Sequence, residues 1–248
     1  LNRFTRYELR TTHPDAARSF YARLLGHERV VIWPLHEQAR ARGAVPHWLG
    51  YISVAENSAL EQMGKRFVER GAVQLGPTLV TQDRGHILVL RDPGGAIVAL
   101  NDTSLPLGDP VVAWHVLNTN DVAAAIRNYR ELFAWAVDES VAIGPHGAYY
   151  GFSWAGAPSG QVGVLADIAG RSGVHPHWLF FFAVKDLDSA LTLIHNAGGT
   201  ATEPFPGPKG ARLSVCEDQQ GAAFGLYECR EDHLLTSSPV PGYAVEQF

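Results

Sequence analysis

The chain has 248 residues, 46% hydrophobic and 18% charged, with a formal net charge of −5. That balance excludes a disordered chain, and the length suits one large domain or two small ones with real cores. No Lys/Arg run or basic aromatic stripe suits nucleic acid, and the longest apolar run, Trp178 to Val184, is far too short to span a bilayer.

Taken in chain order, Tyr7 to Thr11 reads as a strand. Thr12-His13-Pro14-Asp15 then predicts a capping box with Pro in the first turn. Ala16, Ala17, Phe20, Tyr21, Leu24 and Leu25 form a helical stripe that Gly26 stops. A strand over 48–54 leads to Ser58-Ala59-Leu60-Glu61, a second capping box, with Leu60, Met63 and Phe67 on one helix face before Gly71. The Asp83-Arg84-Gly85-His86 segment reads as a solvated turn. Ile87 to Leu90, the turn Asp92-Pro93-Gly94-Gly95 and Ile97 to Leu100 close a hairpin. Residues 104–111 read as a linker between units 1–103 and 112–229. In the second unit, Val122, Ala125, Ile126, Tyr129, Leu132 and Phe133 mark one helix, and Leu187, Ala190, Leu191 and Ile194 another. Residues 230–248, with Pro239 and Pro241, read as an extended arm. Cys216 and Cys229 make no disulfide framework; they read as inert strand-borne thiols and fit a reducing cytoplasm.

Self-similarity organises these elements. Pro46-His47-Trp48-Leu49 recurs as Pro176-His177-Trp178-Leu179, 130 residues on. Tyr7 to Thr11 with Ala16, Ala17 and Tyr21 aligns with His115 to Thr119, Ala124, Ala125 and Tyr129, an offset of 108. Asp92 and Ala96 align with Asp218 and Ala222, an offset of 126. The rise from 108 to 130 leaves the first half short of about one β-hairpin, which the second half keeps between Trp135 and Trp154 around Gly144-Pro145-His146-Gly147. Either the piece is deleted or a loop is missing from the chain as given. The fold expected is therefore α+β: four βαβββ modules in two tandem repeats, curved and mainly antiparallel sheets around a cavity, the first module lacking a hairpin.

This pattern resembles the vicinal oxygen chelate superfamily, which includes glyoxalase I, bleomycin-resistance proteins and extradiol dioxygenases. The resemblance rests on Tyr7-Glu8-Leu9, Phe20-Tyr21 with Leu24-Leu25-Gly26, Pro46 to Tyr51, Arg91 to Ala96 and their second-half copies, and it spans about residues 4–228. It implies paired modules curling around a cavity and, in metal-dependent members, a ligand on the first strand of a module with a Glu on its last. Carried over by position, the first-strand sites fall near Arg6, Leu49, Trp114 and Leu179, and the Glu sites near Ala99 and Gly225. None of the six suits a hard or borderline cation, so no cofactor is expected. A shifted divalent-metal site using His47 and His177 with Glu8 or Glu228 is the alternative; the plainer reading has both histidines capping backbone at strand starts.

Glu8 and Arg10 alternate on one face of the first strand, read as the concave one. A carboxylate in an aromatic cavity can act as a general base, with Arg10 steadying an anionic intermediate. The competing reading is an internal ion pair of Glu8 with Arg10 or Arg6. Their counterparts Val116 and Asn118 are uncharged, which places any chemistry in one pocket. His47, Tyr51, Trp114, Asn118, Tyr149, His177, Phe181 and Tyr227 are the candidate binding residues for a small apolar or aromatic molecule. Alternation sends Tyr51 and Phe181 to the concave face, Trp48 and Trp178 toward the helices, and gives His115 a packing role. Two functions stay open: a glyoxalase-like isomerase, lyase or related proton-transfer enzyme, and a metal-free protein that binds or sequesters its ligand, as monomer or homodimer.

Overall fold

The computed structural model describes residues 2–229 apart from 27–29, 55–56, 83, 104–111, 145–146 and 157–159. The proposed linker and the 230–248 arm lie outside the described residues. The first half runs β1 (Arg3–Thr11), α1 (Pro14–Leu25), β2 (Val31–Pro34), α2 (Glu37–Ala41), β3 (His47–Ser53), α3 (Asn57–Glu69), β4 (Val73–Gln74), β5 (Leu79–Thr81), β6 (Gly85–Arg91) and β7 (Ile97–Asn101). The second runs β8 (Val112–Thr119), α4 (Val122–Phe133), β9 (Ala136–Gly144), β10 (Gly147–Ser153), β11 (Gly163–Asp167), β12 (His177–Val184), α5 (Leu187–Asn196), β13 (Thr200–Ala201), β14 (Phe205–Pro206), β15 (Arg212–Glu217) and β16 (Ala223–Glu228).

Each half forms one open sheet. The first follows the order β2-β1-β3-β7-β6-β4, the second β13-β15-β16-β12-β8-β11-β10-β9. The two paths repeat each other. β1 lies antiparallel to β3 and parallel to β2, as β8 lies antiparallel to β12 and parallel to β11. The α+β architecture of tandem glyoxalase-like modules is the one expected.

Strand pairing locates the missing hairpin. Glu8 pairs with Val31 and Val116 with Val164, so the offset climbs from 108 to 133 within one module. β2 is thus the twin of β11, and nothing corresponds to β9 and β10. Only residues 26–30 join α1 to β2 in sequence, too few for two strands. Three residues return before His47, where the short helix α2 sits, which brings the offset back to 130.

Side-chain alternation then sorts the sheets. Trp48 and Ile52 on β3, with Trp178, Phe180 and Phe182 on β12, enter the main core with the helices. Within it the sheets meet back to back. Gly50 sits at that meeting, because a Cβ there would stand 2.5 Å from the Phe180 ring and 2.7 Å from Phe4.

Two matching struts cross between halves. Trp48 Nε1 donates to the Tyr21 hydroxyl, which donates to Asp218 Oδ2; Trp178 Nε1 donates to the Tyr129 hydroxyl, which donates to Asp92 Oδ2. Each tyrosine comes from one half's helix and each aspartate from the other half's hairpin turn. The turns Asp92-Pro93-Gly94-Gly95 and Asp218-Gln219-Gln220-Gly221 thus place their aspartates alike in the two repeats.

The expected capping boxes differ. α1 starts at Pro14 after His13 with no side-chain cap, because Thr12 Oγ1 turns to His13 Nδ1 and to Gln220. Gln220 Oε1, from the opposite half, instead accepts the His13 backbone N–H at 2.9 Å. α3 begins at Asn57, one residue before Ser58, whose side chain lies outside the described residues. Cys216 is buried on β15, but Cys229 is exposed just past the end of β16 rather than strand-borne.

Candidate functional site

The faces turned away from the helices can be compared row by row, since both sheets share one register. In the first half the rows read Trp33, Arg10, His47; then Val31, Glu8, Leu49; then Arg6, Tyr51, Ala99. The twin rows read Ala166, Asn118, His177; then Val164, Val116, Leu179; then Trp114, Phe181, Gly225. The first lattice is charged where the second is mostly apolar.

Glu8 is the centre of the first. Its carboxylate is fully buried, and Oε1 accepts from Arg6 Nε at 2.5 Å. Oε2 accepts from Arg10 Nη2 and from the Tyr51 hydroxyl, both at 2.6 Å, with Arg84 Nη1 at 3.4 Å. Arg10 Nη2 also donates to the Tyr51 oxygen at 2.7 Å, closing a three-membered ring of contacts. Burial pushes the Tyr51 hydroxyl up to about 12, and Glu8 adds to the rise while Arg10 opposes it, so it stays a proton donor. The ion pair of the plainer reading is therefore formed, by Arg6 and Arg10 together.

Sequence reasoning missed Arg84 and Trp33. Arg84 is not part of a solvated turn: its side chain is 14% exposed, reaches Glu8 and lies over the Trp33 ring at 4.8 Å. It crosses from the β5–β6 connection to the opposite edge of the sheet. Trp33 sits on β2 in line with Arg10, and its Nε1 is buried with no acceptor among the described residues. The β-branched run Val30-Val31-Ile32 before Trp33 and Pro34 was the available signal for that strand.

His47 and His177 start their strands as expected and use one device. Nδ1 meets the carbonyl two residues back, Val45 or His175, at 2.7 Å in both. A carbonyl only accepts, so Nδ1 carries the proton and Nε2 the lone pair. Burial lowers both pKa values, His177 to about 4, and the Arg10 charge lowers His47 further. His177 Nε2 lies 3.5 Å from Asn118 Nδ2, whereas His47 has Arg10 as its partner across the strands.

The second face is packed. Trp114, Tyr149, Leu179, Phe181, Phe205 and Leu213 form one buried cluster, almost none of whose surface water can touch. A Cβ at Gly225 would stand 2.2 Å from the Phe181 ring, so that ring fills the space a longer side chain would take. Tyr227 is half-buried, its hydroxyl donating to the Pro208 carbonyl at 3.4 Å. Trp114, Tyr149 and Phe181 thus belong to a core and not to the first-half cluster. His115 packs between the halves, bonded to the Tyr7 hydroxyl at 2.6 Å and stacked on Phe4.

The residues do not fit the metal centre that the fold brings to mind. Leu49, Ala99, Trp114 and Leu179 are buried in apolar clusters, Arg6 is a cation bound to Glu8, and Gly225 has no side chain. Among the described residues no three His, Cys, Asp or Glu side chains gather as a cation would need. His47 and His177 stand on different sheets. Glu228 is occupied, accepting from the Leu187 N–H at 2.7 Å and from Arg212 at 3.2 Å.

The second half, residues 111–226, matches the model of the Glyoxalase/Bleomycin resistance protein/Dioxygenase superfamily, and the first half repeats its strand pairing. Among its relatives is "Putative glyoxylase CFP32" of Mycobacterium tuberculosis, 28% identical over 88% of this chain and 92% of the relative. The anthracycline biosynthesis protein DauV of Streptomyces sp. strain C5 is 26% identical over 74% of this chain and 66% of its own. In fold the chain is similar to the 2,3-dioxygenase LapB of Pseudomonas sp. KL28, with a TM-score of 0.62, 11% identity and 96% of each chain covered. It is also similar to the Mn(II)-bound glyoxalase of Novosphingobium aromaticivorans, with a TM-score of 0.62, 11% identity and 92% and 82% covered. No helix among the described residues is long and apolar enough to cross a membrane.

Proposed function

We propose that this protein binds a small, flat organic molecule on the open face of its first half, without a metal ion, and that Glu8 positions the binding groups rather than taking a proton. One observation carries the reading: both Glu8 oxygens already accept from Arg6, Arg10, Tyr51 and Arg84, while the equivalent face of the second half is closed by apolar side chains. A carboxylate that holds four donors and is fully buried presents no oxygen to a substrate. Leu49, Tyr51, Ile87 and Ala99 form a buried apolar floor with part-buried Val89, and the row Trp33, Arg10, His47 beside it is where water reaches the face. Relatives named for anthracycline biosynthesis support a ligand with fused rings.

The test is titration calorimetry with naphthalene-2-carboxylate and naphthalene-2-carboxamide. At least one should bind, Leu49→Trp should abolish that binding, and Leu179→Val in the twin row should leave it within about twofold. Dialysis against a chelator should leave affinity unchanged. Loss of binding on chelation, restored by a divalent cation, would return the site to the metal-dependent class.

A second reading, proton transfer on the bound molecule, has His47 in its favour. It is kept neutral by burial and by Arg10, with its Nε2 lone pair in the row that water reaches. Under this reading His47→Gln keeps affinity but stops deuterium exchange from solvent into a C–H of the bound compound. Equal exchange with and without the substitution leaves binding alone.

A further inference from the structure

Resting on the site just proposed, we infer that its ligand is an anion, an aromatic carboxylate whose carboxyl group is taken by Arg10 between Trp33 and His47. Arg10 spends both hydrogens of Nη2, on Glu8 and on Tyr51, which leaves three of its five N–H groups, on Nη1 and Nε, with no acceptor among the described residues. Its side chain is 21% exposed, so those donors stand where a solute can reach them.

The charge on Arg10 is also incompletely answered. Glu8, the carboxylate paired with it, also binds the Arg6 and Arg84 guanidinium groups. Whatever else Arg6 and Arg84 touch, Oε2 alone serves Arg10, Arg84 and the Tyr51 hydroxyl. A partly buried cation in that position gains from a second anion, and the planar edge of a guanidinium matches a planar carboxylate with two parallel bonds.

The neighbours point the same way. Trp33, next to Arg10 in the row, has a buried indole N–H with no acceptor among the described residues, a group that native structures rarely leave so. On the other side His47 is neutral, so it does not compete as a cation. The twin row has Ala166, Asn118 and His177, and there Asn118 and His177 approach each other. What the first half changed in this row is the addition of a fixed positive charge and an N–H donor.

The naphthalene pair separates this inference from the reading beneath it. With the full chain, the carboxylate should bind at least tenfold more tightly than the isosteric carboxamide. Arg10→Met, which keeps the aliphatic stem, should erase that difference by weakening the carboxylate far more than the carboxamide. Equal affinities for the two compounds in the unaltered protein overturn the anion inference and leave the binding site standing. Failure of both compounds to bind overturns the site and the inference together. Should Arg10→Met not fold, Arg10→Lys serves: it keeps charge but loses the fork, and its preference should fall several-fold short of the arginine's. Quenching of Trp33 fluorescence by the carboxylate, lost in Trp33→Phe, is the independent readout, and quenching that persists in that variant counts against the placement.

Discussion

Glu8 shows how burial and charge constrain one another at a single position. Three guanidinium groups and a phenol converge on a carboxylate that water cannot reach, so its removal takes that acceptor from every donor at once. Breaking a buried charge cluster by removing one sign costs about 3–5 kcal/mol, because the partners stay behind unpaired. Glu8→Ala should therefore lose about that much in urea unfolding, and Glu8→Gln should also be costly because an amide offers one acceptor oxygen in place of two. A loss under about 1 kcal/mol for Glu8→Ala would show that Glu8 is not the centre of the cluster. Much of this centre was legible in the chain: alternation along β1 puts Arg6, Glu8 and Arg10 on one face, and alternation along β3 adds His47 and Tyr51. Arg84 was not, since its place follows from how the β5–β6 connection folds across the sheet, a tertiary fact with no local signature. Trp33 fell between, on a four-residue strand ending in proline.

At the scale of elements, the repeated Trp–Tyr–Asp struts join motifs that are unremarkable alone. The DPGG turn looks like hairpin punctuation, yet Asp92 also receives the Tyr129 hydroxyl of the other half. Burial lifts the Asp92 carboxyl to about 6, although hydrogen bonds from Ala96 and Tyr129 oppose the rise. The folded protein thus holds that proton more tightly than the unfolded chain does. Asp92's contribution to stability is fully present below about pH 4 and is lost as pH rises through about 6. The span is worth roughly 3 kcal/mol. Unfolding curves collected from pH 4 to pH 7 should show the stability of the unaltered protein relative to Asp92→Asn falling by about that amount; a difference that stays flat rules the linkage out. A hairpin's absence could be counted from motif spacing, whereas the crossing of struts between halves could not, because no spacing rule says which half a tyrosine will face.

For the molecule as a whole, the back-to-back contact and the crossed struts make the halves one cooperative unit. Gly50 tests this directly. Adding a methyl group there presses on the Phe180 and Phe4 rings, and overpacking of this kind costs about 1–3 kcal/mol. Gly50→Ala should lower the melting temperature with a single calorimetric transition; two separated transitions would mean that the sheets stand independently.

The apolar filling of the second sheet has its own consequence. Phe181 lying in the space beside Gly225 makes that copy a keel, apolar and closely packed, to which its sibling is bolted. A sibling so supported can carry clustered charges that would unsettle a domain standing alone. Diversification among such duplicated proteins should then concentrate in the copy without the keel, one row of side chains at a time.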